Sequence, residues 1–92
     1  MRRMIKGNLK LNIVGHAILR NFWEYYITEL PNEDGIGMAL VMGDYDEYGS
    51  ITQYDIDTHG ISYTTQLDDI LPATGYSWAD GVTCPIYSDR GV

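Results

Sequence analysis

From Asn21 to Asp89 the chain has no lysine or arginine, although all thirteen of its aspartates and glutamates lie in that stretch. Five of its six basic residues (Arg2, Arg3, Lys6, Lys10 and Arg20) come earlier, Arg90 comes just after, and the formal net charge is −7. A mixed-sign surface is the usual route to solubility. A body of one negative sign repels nucleic acid and steers toward basic surfaces. The chain therefore predicts a basic protein surface as partner and no direct nucleic-acid binding.

Cysteine is nearly absent: Cys84 stands alone, which excludes an internal disulfide and agrees with a reducing cytoplasm. No apolar run approaches the roughly twenty residues of a membrane span. Lys6, Asn8, Lys10 and Asn12 interrupt what would be the apolar core of a signal peptide after Arg2 and Arg3. The expectation is a soluble cytoplasmic protein with no membrane contact. Repeats, linkers and low-complexity tracts are also missing, so residues 1–92 read as one small domain. A hydrophobic content of 45%, with eight tyrosines and two tryptophans, suffices for a core.

What is there reads mainly as strand. Leu9, Leu11 and Ile13 alternate with Lys10 and Asn12, the period of a half-buried strand that Gly15 ends. Aromatic and β-branched residues over 22–30 favour a strand, with a short helical turn before it. Pro31, Asn32, Glu33, Asp34 and Gly35 form a turn in which glycine supplies positive φ. The apolar run from Ile36 to Met42 predicts a central strand covered on both faces. A polar turn is expected over 43–49, a strand over 50–56 and a short strand over 61–64. Thr65 and Asp68 suggest a capped helix over 66–71, ended by Pro72. Tyr76, Trp78, Ile86 and Tyr87 would anchor a looped remainder. The predicted class is α+β: an antiparallel meander of three to five strands with one or two short helices.

Catalytic signals are weak. His16 and His59 sit in no local signature, and Cys84 before Pro85 lacks an adjacent activating base, so no catalytic residue is assigned. Residues 44–55 partly match a calcium loop, with Asp44, Asp46 and Asp55 at loop positions 1, 3 and 12 and Gly49 at 6. Tyr48 replaces an oxygen ligand, Asp55 is shorter than the usual glutamate, and the flanks read as strands. A polar hairpin turn is the better reading, with no metal or cofactor assigned.

The interleaving of tyrosines and acids is more informative. Asp44, Tyr45, Asp46, Glu47 and Tyr48, followed by Asp55 and Asp57, combine rigid aromatic area with charge. Carboxylates at i and i+2 of a strand project from one face about 6.5–7 Å apart, close to the spacing of successive phosphates. Asp44 with Asp46, and Asp55 with Asp57, could thus imitate a nucleic-acid backbone. The bland alternative is a solvated acidic face over an aromatic core. The basic start would pair with the acidic body, or with a second copy in a homodimer.

Trp23, Tyr25, Tyr26, Ile27, Thr28 and Glu29, then Asp34, the apolar run 36–43, and Glu47, Tyr48, Gly49, Ser50 and Ile51 resemble a pattern in small uncharacterised plasmid and phage proteins. The resemblance covers about residues 22–56. Ser50 stands where that family has an aromatic, and the last third of the chain departs from it. It implies a mobile-element origin and no activity. In size, charge and lack of a catalytic motif the chain is similar in kind to anti-CRISPR and anti-restriction inhibitors. The sequence thus predicts a non-enzymatic inhibitor that covers a nucleic-acid-binding surface of a host defence complex. The alternatives are a small ligand- or metal-binding module, which a ligand would stabilise, and a self-associating structural protein, which would dimerise with concentration.

Overall fold

The structure, a computed structural model, describes residues 1–79. Cys84, Ile86, Tyr87 and Arg90 lie outside the described residues. The chain runs through β1 (Arg2–Lys6), β2 (Leu9–Ile13), β3 (Gly15–Leu19), β4 (Glu24–Glu29), β5 (Ile36–Met42), β6 (Asp46–Thr52), α1 (Gln53–His59), β7 (Gly60–Thr64) and β8 (Ser77–Trp78). Among the described residues these strands form two antiparallel sheets, ordered β2-β1-β8 and β6-β5-β4-β3-β7.

The sequence-derived α+β class is thereby corrected. The described residues are mostly β with one short helix, and a three-stranded sheet adds to a five-stranded one in which β3 to β6 form a meander and β7 returns to pair with β3. β1 is the addition that composition hid. Arg2, Arg3 and Lys6 look like a solvated tail, yet Met4 between them is fully buried. Gly7, at φ +60°, makes the two-residue turn into β2.

The five-stranded sheet is covered on both faces because alternate residues serve two cores. One face presents Tyr26 and Leu40 to Met4, Ile13, Leu67, Ala73 and Tyr76. The other gathers Ala17, Leu19, Tyr25, Ile27, Ala39 and Ile51 beneath Ile56 of α1. β5 is central as expected, with Ala39 and Leu40 buried on opposite faces. The turn after Pro31 also forms as predicted, with Gly35 at φ +80° and Asn32 Oδ1 accepting from the Asp34 and Ile36 amides.

The helix lies elsewhere than expected. Thr52-Gln53-Tyr54-Asp55 and Thr65-Gln66-Leu67-Asp68 carry the same Thr-Gln-x-Asp pattern. In the first, the Thr52 hydroxyl accepts from the Asp55 amide at 3.0 Å and caps α1. In the second, Thr64 Oγ1 takes the Gln66 amide at 2.9 Å and a turn closes from the Ile70 amide to Leu67 O. Pro72, following so closely, leaves no room for a helix there. The strand expected over 50–56 is the end of β6 followed by α1, and β6 already begins at Asp46 within the expected 43–49 turn.

Register sets the ends of the sheet. Ile18 pairs with Glu24, Glu24 with Met42, Met42 with Asp46, and Leu19 with Gly60. The β3–β4 loop (20–23), the β5–β6 loop (43–45) and the C-terminus of α1 therefore lie at one end.

Candidate functional site

Within the β3–β4 loop the hairpin closes between Leu19 and Trp23, around the three residues 20–22. The Phe22 amide donates to Leu19 O at 2.8 Å and the Leu19 amide to Trp23 O at 3.3 Å. Such loops take a type I turn and then one left-handed residue, usually glycine. Here that residue is Phe22, at φ +64° and 77% exposed. Asn21 braces the loop, accepting from the Trp23 amide at 2.9 Å and reaching the Tyr25 hydroxyl at 3.4 Å. The Trp23 indole lies against Gly43 of the neighbouring loop: a Cβ built on Gly43 would stand 2.5 Å from the ring. Tyr45, beside it in sequence, is 77% exposed. Two adjacent loops thus carry Phe22, Trp23, Asp44 and Tyr45, with Asp46 and Glu47 leading into β6.

Of the sequence-predicted site, residues 44–48 come together here. Asp46 and Tyr48 share one face of β6, and Glu47 takes the other, since strand neighbours alternate. Asp46 is engaged by Lys6 at 3.5 Å, and the Tyr48 hydroxyl by Thr28 Oγ1. The basic start therefore pairs, at Lys6, within the molecule. Arg2 lies 4.2 Å over the Trp78 ring and donates to Leu67 O.

The predicted backbone spacing of carboxylates does not form. Asp44 lies in the bend before β6, so it is not a strand neighbour of Asp46. Asp55 and Asp57 stand on α1, where residues two apart point to different sides. Asp57 accepts from Gln53 Nε2 at 2.9 Å. Asp55 joins Leu19, Arg20, Asn21, Tyr25 and His59 around an open cleft of about 310 Å³. The 44–55 segment cannot wrap a cation as a calcium loop would, because seven of its residues are extended strand. Among the described residues no three His, Cys, Asp or Glu side chains are placed to hold a metal ion.

Sequence reasoning missed Phe22 and Trp23 as loop residues, because no glycine announces the turn. It also missed a buried group beneath residues 64–71. His16 Nε2 is 3.0 Å from Glu24 Oε1, its Nδ1 is buried with no partner among the described residues, and its ring meets Tyr26 edge-on at 4.9 Å. The Tyr26 hydroxyl lies 3.0 Å from both Glu24 Oε1 and Leu71 O. Burial pushes that phenol well above its ordinary range, and the hydrogen bond and charge of Glu24 push it the same way. The cluster reads as a structural brace.

Fold and surface together define a mostly β protein with an acidic, aromatic-tipped sheet end. No family model, no curated protein and no solved structure matches the chain. Among the described residues no helix is long and apolar enough to cross a membrane.

Proposed function

We propose that the protein is a non-enzymatic inhibitor, of the kind carried by mobile elements, that covers a basic nucleic-acid-binding surface of a host defence complex. The observation that carries this reading is the sheet end, where Asp44, Asp46 and Glu47 stand among exposed aromatic rings. Lysine and arginine are absent from the rest of the described chain beyond Arg20. Such a surface gives electrostatic steering toward a basic groove, and its aromatic residues supply contact area once docked. The mimicry is one of charge and shape at a loop cluster; the regular carboxylate ladder has no part in it.

Affinity capture from host lysate with the wild type and with Asp44→Lys/Asp46→Lys/Glu47→Lys, at low and moderate salt, tests this. A DNA- or RNA-handling complex held by the wild type at low salt, weakened by salt and lost in the folded triple variant, is the expected result. Equal capture by both proteins would move the interface elsewhere.

The cleft favours a second reading, a small-ligand-binding module. Arg20, Asp55 and His59 line it without pairing with one another. A compound that raises Tm in the wild type and not in Asp55→Ala would support that reading.

A further inference from the structure

Phe22 occupies a position that the backbone reserves for glycine. Its φ of +64° follows from the three-residue hairpin, and a bulky residue there is an outlier, held by the two backbone bonds that close the hairpin and by the Asn21 brace. Among the described residues the side chain is left mostly uncovered, 77% exposed. The chain has ten glycines and places none here. An exposed ring at a strained site needs a contact outside the molecule to account for it.

The neighbours state the chemistry of that contact. Trp23 and Tyr45 offer further rings on the same two loops, and Asp44 offers a carboxylate next to Gly43, against which Trp23 lies; Asp46 is held by Lys6 at 3.5 Å, and Arg20 begins the Phe22 loop. A guanidinium stacks on an aromatic face while donating to an adjacent carboxylate. An ammonium, compact and strongly hydrated, does this less well. Asp44, Asp46 and Glu47 outnumber Arg20 and Lys6 at this end, so its charge weighs against nucleic acid and anionic lipid as the occupant.

We propose that this end receives arginine side chains of a basic partner protein, and that Phe22 is kept in its left-handed position to stack on one of them. The proposal rests on the partner-binding reading above and deepens it by naming arginine as the recognised group.

Titration of the purified protein with poly-L-arginine and poly-L-lysine of equal length, followed by tryptophan emission and repeated at several salt concentrations, tests it. Phe22→Gly is expected to weaken poly-L-arginine binding about tenfold and to change poly-L-lysine binding little. The same variant should melt at a higher temperature, since glycine relieves the φ strain and little burial is lost. Phe22→Tyr should bind as the wild type does. Phe22→Asn, which tolerates the left-handed conformation, should bind as weakly as Phe22→Gly. Unchanged poly-L-arginine affinity in Phe22→Gly, or an equal loss on both polymers, would overturn the inference while leaving the partner-binding reading intact. Absence of salt-sensitive binding of either polymer by the wild type would overturn both.

Discussion

Trp23 and Gly43 show how single residues set the candidate site. The indole lies where any side chain at 43 would have to go. Gly43→Ala should cost about 1–2 kcal/mol, since the partly exposed ring can swing away. Gly37→Ala should cost more, about 3 kcal/mol, because its Cβ would lie 2.2 Å from the Glu29 carbonyl, which cannot move freely at the β4 bulge. Urea denaturation of the two variants gives the order, and Gly43→Ala should also change the tryptophan emission. The apolar run displays both glycines in the sequence. Gly43 makes room for Trp23 of another loop, and Gly37 for the Glu29 carbonyl at the β4 bulge, neither of which the apolar pattern announces.

Tyr26 provides a second test at this scale. Its folded-state pKa is raised, so its stabilising effect is complete below about pH 10, where an unfolded tyrosine begins to ionise. It is lost as pH climbs through the folded value, by up to about 1.4 kcal/mol per pH unit. Tyr26→Phe should be less stable than the wild type near neutrality by about 1 kcal/mol, having lost its hydrogen bonds. Above pH 10 its stability should fall less steeply than that of the wild type. Urea midpoints at about pH 8 and about pH 11 would reveal whether the two proteins converge.

Among the elements, the twin Thr-Gln-x-Asp segments mark the limit of sequence reading. Each offers the same local capping chemistry, and only the first becomes a helix. Gln53 follows a strand whose neighbour supplies Gly35 O to its amide, and Ile56 finds the core beneath it. Leu67 instead goes down into the other core, and Pro72 closes the segment. Thr52→Ala should therefore cost about 1 kcal/mol through the lost cap, while Thr65→Ala should cost almost nothing. Thermal melts of the two variants test this directly.

β4, β5, the Asn32 turn and β7 were legible because alternation, apolar runs and turn chemistry are local. β1 was not, since its burial depends on pairing with β2 and β8 and its charges disguise it. The acid and tyrosine pattern over 44–48 was visible in the sequence, and the structure sets those residues in the β5–β6 loop and the start of β6. Their spacing was misjudged because β6 begins only at Asp46, and because Asp55 and Asp57 belong to a helix.

At the scale of the whole molecule, segregation of charge is the feature that the fold preserves and refines. The basic start is folded back into β1, where Lys6 pairs with Asp46 and Arg2 covers Trp78. The negative body then exposes Phe22, Trp23 and Tyr45 on the loops at one end of the five-stranded sheet, where Arg20 also lies, while Tyr54 and Tyr63 are exposed on α1 and β7. Exposed ion pairs of the Lys6–Asp46 kind contribute little to stability. Asp46→Lys should therefore change binding far more than folding, a contrast that paired melting and capture measurements would expose.

The inhibitor we propose would occupy, with this end, a surface where a host complex holds nucleic acid. The most direct measurement is displacement: labelled DNA or RNA bound to the captured host complex, titrated with the wild type and with the 44/46/47 lysine variant. Release of the labelled strand by the wild type, weakened by added salt and absent with the folded variant, is the predicted result. A complex that holds the nucleic acid and the protein together, with no loss of label at saturation, would contradict the account.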